Sequence, residues 1–185
     1  LRAGLLKGSF IPDKTFRELR HLTRYRKSIV RDITAQKNRI DKFLQSSGFR
    51  FTAFLSDAFG ASGRNIIRHL MEYGNISREA LDRCLKTQTR KRIDEILIAL
   101  NGSLSEHQRG FLRMIFGHLE ALEQHRHTVE DAITKEITKH EEALSLLCSI
   151  PGIDVTAAAA IIAEIGTDMS AFPDSQHISV SYTHL

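Results

Sequence analysis

Tryptophan is absent from the chain, proline occurs three times and cysteine twice in 185 residues, and aromatic residues make up only 7%. So little proline leaves long stretches free to run as uninterrupted helix. Cys84 and Cys148 sit in apolar helical patterns without a CxxC partner, which excludes a disulfide framework and predicts two core-filling thiols. No apolar run approaches the roughly 18 residues of a membrane span. The longest lies near 155–163, and no secretory pattern opens the sequence, so a cytoplasmic protein with no membrane partner is expected. HExxH is missing. The histidines at His118, His125, His127 and His140 have no facing set of ligands, and no carboxylate pair has the spacing of a catalytic dyad. The residues themselves therefore offer no catalytic site, no metal site and no cofactor. A hydrophobic content of 42% supports one moderate core or two small ones.

What is present is a polarised charge distribution under a modest formal net charge of +4. Residues 1–50 hold thirteen Lys and Arg against Asp13, Glu18, Asp32 and Asp41, a local excess of +9, while the remainder is net acidic. A basic block ahead of an acidic body predicts a polyanionic partner for that block.

Helical periodicity dominates. Asp13 can cap a helix running to about Ser46, with Gly48 ending it and Phe16, Leu19, Leu22, Ile29, Ile33, Ile40 and Leu44 forming its apolar stripe. Arg17, Arg20, Arg24, Lys27 and Arg31 follow at steps of three or four, a basic stripe able to track phosphates; Arg26, Lys37 and Arg39 extend the candidate contacts. Phe49 to Leu55 is expected to be short irregular structure. Gly60-Ala-Ser-Gly63 then leads into a helix that ends at Gly74. Ser62 stands in a GxSG-like string, but no strand-turn-helix frame surrounds it, so close helix packing is the better reading. Ser77 is expected to open a single helix reaching Leu100, and Ser105-Glu-His-Gln108 is a capping box for a helix over 106–147. Leu112, Ile115, Leu119, Leu122, Val129 and Ile133 keep a near-heptad rhythm along it and predict a coiled-coil arm that pairs with a second copy.

Ser149-Ile-Pro-Gly-Ile-Asp154, followed by Thr156-Ala-Ala-Ala-Ala-Ile-Ile-Ala-Glu-Ile-Gly166, joins a tight glycine turn to a small-residue helix. That is the outline of a helix-hairpin-helix, in which Pro151, Gly152 and Ile153 approach a nucleic-acid backbone and the helix N-terminus faces phosphate. A plain close-packed helical hairpin has the same outline. Asp154 favours restraint, since a carboxylate there repels phosphate while making a good helix cap.

Three blocks make the chain similar to the insertion sequence 110 family of bacterial transposases. They are Gly4-Leu-Leu-Lys-Gly-Ser-Phe-Ile-Pro12; Arg17-Glu-Leu-Arg-His-Leu-Thr-Arg-Tyr-Arg-Lys27 with Lys37-Asn-Arg-Ile40; and 147–166 with Thr167-Asp-Met-Ser-Ala-Phe-Pro173. The resemblance implies a mainly α chain: the end of a RuvC-like domain over 1–75, a long antiparallel coiled-coil hairpin over 76–147, and a helix-hairpin-helix-like start of a transposase domain over 148–178. Residues 179–185 depart from the family pattern and look foreign. It further implies DNA and a structured bridge RNA as partners, homo-oligomerisation through the coiled coil, and Mg²⁺ held by Asp-Glu-Asp-Asp carboxylates together with a nucleophilic serine in the full-length family.

Against that layout the chain resembles an internal piece that is itself inactive. Asp13, Asp32 and Asp41 fall beyond the family's carboxylates and are not carried over as ligands, nor are Ser170, Ser175, Ser179 and Ser181 as the nucleophile. The alternative is an autonomous, non-catalytic nucleic-acid-binding and dimerisation module, or a decayed remnant.

Overall fold

A computed structural model describes residues 14–171. The Gly4 to Pro12 block, Asp13, Ser175, Ser179, Ser181 and the departing tail lie outside those residues. Among the described residues the chain is helical with no strand, as its periodicity predicts. The helices are α1 (Lys14–Ser46), α2 (Ala61–Tyr73), α3 (Arg78–Cys84), α4 (Thr87–Arg90), α5 (Ile93–Ile98), α6 (Glu106–Ile137), α7 (Glu141–Cys148) and α8 (Val155–Ile165). Short 3-10 turns occupy Phe51–Phe54, Thr138–His140 and Met169–Ala171. None of these helices is long and apolar enough to cross a membrane.

Two compact units emerge, one of Leu1–Ile29 with His125–Leu185 and one of Val30–Gln124. The division falls inside α1 and inside α6, and so cuts across the sections 1–75, 76–147 and 148–178.

In the unit of Val30–Gln124, Ile33, Ile40 and Leu44 of α1 are buried together with Phe49, Phe51, Ile66, Ile67, Leu70, Leu81, Ile96, Leu112, Phe116 and Leu119. Gln36 and Arg64 are matched where they enter this core. Gln36, itself buried, donates from Nε2 to the Ile115 carbonyl at 2.6 Å. Arg64 holds Glu123 through two bonds of 2.6 and 2.7 Å and donates from Nε to the Phe59 carbonyl at 2.7 Å. The Gly60 to Gly63 string opens α2 as a packing element. A Cβ on Gly63 would overlap the Ala58 carbonyl, and the Ser62 hydroxyl accepts the Lys86 N–H at 3.0 Å. Ser62 is thus a buried structural acceptor.

That same bond explains one correction. The single helix expected from Ser77 to Leu100 is three short ones, α3, α4 and α5. Ser77 does cap α3, accepting the Ala80 N–H at 3.3 Å. At Leu85 and Lys86 the backbone becomes extended, because Leu85 turns into the core and the Lys86 amide leaves the helical ladder for Ser62. Tertiary contacts override helix propensity here.

The capping box at the start of α6 is reciprocal: Gln108 N–H donates to Ser105 Oγ at 3.3 Å, and Ser105 N–H donates to Gln108 Oε1 at 2.9 Å. The helix expected to continue from there to Leu147 stops instead at Ile137. Thr134 and Thr138 turn their hydroxyls back onto the carbonyls of Glu130 and Lys135, at 2.9 Å each, and such bonds compete with the helical ladder where the 3-10 turn begins. The heptad residues are covered as well. Leu112 and Leu119 are 0% exposed, Ile115, Val129 and Ile133 are buried and Leu122 is half-buried, so this chain's own packing occupies the positions expected to seat a second copy. Cys84 is partly buried, and burial raises its thiol pKa; Cys148, expected in the core, is exposed at the end of α7.

Candidate nucleic-acid interface

The unit of Leu1–Ile29 with His125–Leu185 contains most of the residues expected to meet nucleic acid. Its framework is the first half of α1, the end of α6, and the hairpin of α7 and α8. Leu19 and Ile29 anchor α1 in the interior, and Ala158, Ala159, Ile162 and Ala163 form the buried face of α8. Phe16 stacks on the His140 ring with centroids 4.7 Å apart, and the same Phe16 ring lies 3.7 Å from where a Cβ on Gly166 would stand.

Small side chains on α8 permit close approach, and the arginines of α1 exploit it. Arg20 donates from Nε to the Ala163 carbonyl at 3.1 Å and from Nη2 to the Glu164 carbonyl at 2.8 Å. The last carbonyls of a helix have no partner in the helix and carry the negative end of its dipole, so Arg20 is a side-chain cap on α8. Its guanidinium also pairs with the Glu164 carboxylate at 3.0 Å. Arg24 grips that carboxylate through two bonds of 3.0 and 3.1 Å. The Glu164 side chain is only 16% exposed, so the pairing is partly shielded from water. Arg26 is likewise used internally, 2.8 Å from Glu130. This pair lines a cleft of about 270 Å³ with Ile133, Thr134, Val155 and Thr156.

Of the stripe expected to track phosphates, Arg20 and Arg24 are therefore held by α8, and Arg26 by α6. Arg17 and Lys27 are exposed and without a partner among the described residues. Arg26, which precedes Lys27, shares its cleft with Val155 and Thr156 of the first turn of α8. In the other unit Arg31 is exposed, Lys37 stands 3.9 Å from Glu123 and over the Phe59 ring, and Arg39 donates to the Gln36 side chain. Sequence steps of three and four placed these cations along one helix. They could not show which of them meet a carboxylate some 140 residues away.

Between α7 and α8 the backbone makes a tight turn. Ile150 N–H donates to the Leu147 carbonyl and Ile153 N–H to the Ile150 carbonyl, both at 3.1 Å. Gly152 has a φ of +90°, the left-handed region that favours glycine, and an added Cβ there would meet nothing within 4 Å. The glycine is required by the turn and not by crowding. Pro151 and Gly152 are exposed and Ile153 is half-buried. Asp154 caps α8, its Oδ1 accepting the Ala157 N–H at 2.7 Å. The turn thus presents exposed backbone beside the positive end of α8, with one carboxylate partly offsetting that charge.

His118, His125 and His127 are exposed on α6, and among the described residues no group of three His, Cys, Asp or Glu side chains could hold a metal ion. These residues do not fit the Mg²⁺ implied by the resemblance.

Both ends of the chain match known protein families. Residues 1–48, which include all of α1, match the family model of the IS110 DEDD transposase. Residues 144–182, which include the turn and α8, match the model described as Transposase IS116/IS110/IS902 family. Two separate segments, together just under half of the chain, match models of the same group, and the matches support an IS110-family transposase. No curated protein sequence matches it.

Proposed function

We propose that this chain is a nucleic-acid-gripping section of an IS110-family transposase, which binds DNA backbone, works with a structured RNA, and contributes positioning while the strand chemistry is done by family elements outside the described residues. The observation that carries this reading is the sorting of the basic stripe: α8 and α6 take Arg20, Arg24 and Arg26, and leave Arg17 and Lys27 exposed on a rigid helix with no partner among the described residues. Arg17, Lys27 and the exposed Pro151 and Gly152 turn belong to one unit. Positive charge on a rigid element with exposed amides beside it is the physical requirement for holding phosphates without reading bases.

The test is binding of the chain to a duplex of about 20 base pairs over a range of salt concentrations. Affinity should fall as a power of salt, with a slope near 0.9 for each duplex phosphate contacted. A chain that binds neither duplex DNA nor folded RNA at low salt overturns the reading.

Asp154 supplies a second expected outcome. Asn caps a helix about as well as Asp, so Asp154→Asn should leave unfolding by urea unchanged within about 0.5 kcal/mol. Removing the carboxylate beside the turn should raise duplex affinity about threefold, an effect of the size charges have at helix N-termini. Unchanged affinity in the folded variant would take the turn out of the interface.

A further inference from the structure

We infer that Tyr25 is a stacking platform for an unpaired base, so that this face of α1 takes single-stranded nucleic acid as well as duplex backbone. The inference rests on the nucleic-acid reading and narrows it to a substrate form. Tyr25 is 54% exposed on α1, in a chain where aromatic residues are scarce. Its phenol makes no hydrogen bond among the described residues, and its ring pairs with no other ring there.

Its surroundings suit a nucleotide. At helical spacing His21 stands one turn before Tyr25 and Ser28 almost one turn after it, the former exposed and the latter half-exposed. On the side of that pair lies the exposed Arg17, with Arg24, held by Glu164, next to it. The nearest carboxylates along the ring's own side of the helix are Glu18 and Asp32, each two turns away, and Glu18 pairs with Lys14 at 3.8 Å. A flat apolar ring, with the Arg17 cation about a quarter turn around the same rigid helix, can stack a base while a phosphate of the same strand reaches that arginine. Duplex DNA hides its base faces within the stack and cannot use the ring; a single strand, or an unpaired loop in RNA, exposes them.

The experiment compares unaltered chain, Tyr25→Ala and Tyr25→Phe on four probes: oligo(A), oligo(dA), a DNA duplex and an RNA duplex of equal length. Tyr25→Ala should weaken both single strands about tenfold and leave both duplexes within twofold, since stacking on one aromatic is lost and the charges remain. Tyr25→Phe should bind single strands like the unaltered chain. A selective loss on oligo(A) identifies RNA as the strand, and an equal loss on both strands identifies stacking indifferent to the sugar. Because the chain has no tryptophan, tyrosine emission is visible, and saturating oligo(dA) should quench the unaltered chain more than Tyr25→Phe. Single-strand affinity unchanged in Tyr25→Ala, or lost equally with duplex affinity, overturns the stacking role while leaving the backbone grip intact. Failure of the unaltered chain to bind any of the four probes overturns both.

Discussion

Leu119→Glu is expected to unfold the unit of Val30–Gln124, with a loss of at least about 5 kcal/mol in urea or thermal unfolding. Leu119 is 0% exposed, and Leu112, Phe116 and Ile115 from the same helix are buried with it. Removing a buried leucine costs about 2–5 kcal/mol through lost contacts and the cavity left behind. A carboxylate in its place adds a further penalty of several kcal/mol, or takes up a proton to escape it. Whole domains are stable by only about 5–15 kcal/mol, so the two costs together exhaust the margin. Leu119→Ala should remain folded with a loss inside the first range. If Leu119 instead formed a seam between copies, Leu119→Glu would stay folded and sediment as a monomer where the unaltered chain sediments as a dimer; that outcome would return the residue to an intermolecular role.

The case of Leu119 marks where the sequence stops being informative. Its spacing with Leu112 and Ile115 identifies a buried stripe on α6, and the stripe is there. Periodicity tells which face of a helix is covered, and is silent about whether the cover comes from the same chain. The local signals were legible for the same reason: the Ser105 and Gln108 box, the Ser77 cap, the Asp154 cap and the left-handed Gly74 and Gly152 are decided by neighbouring residues. Non-local effects were not legible. The break at Leu85 and Lys86 depends on Ser62, and the interruption after Ile137 separates α6 from α7 in a stretch whose apolar rhythm continues. Within the candidate interface, the basic stripe could be read, but its division into structural and free cations could not, because Glu130 and Glu164 reach α1 only through the fold.

That division decides the second large effect. Replacing Arg17 and Lys27 together by Glu should weaken duplex binding about 100-fold near 0.1 M salt and lower the log–log salt slope by about 2, because two phosphate contacts and their released counterions disappear. Both side chains are exposed, so the variant should unfold at nearly the same urea concentration as the unaltered chain. Arg20 predicts the opposite pattern. Its guanidinium is committed to the Ala163 and Glu164 carbonyls and the Glu164 carboxylate, and Arg20→Met should leave the salt slope alone while costing about 1–3 kcal/mol of stability through unsatisfied groups at the end of α8. Affinity and stability thus separate the free cations from the structural one within a single helix. Should Arg20→Met lower the slope and the Arg17 and Lys27 pair leave it unchanged, phosphate must compete with Glu164 for the arginines of α1, and the grip would have to include an opening of α8 away from them.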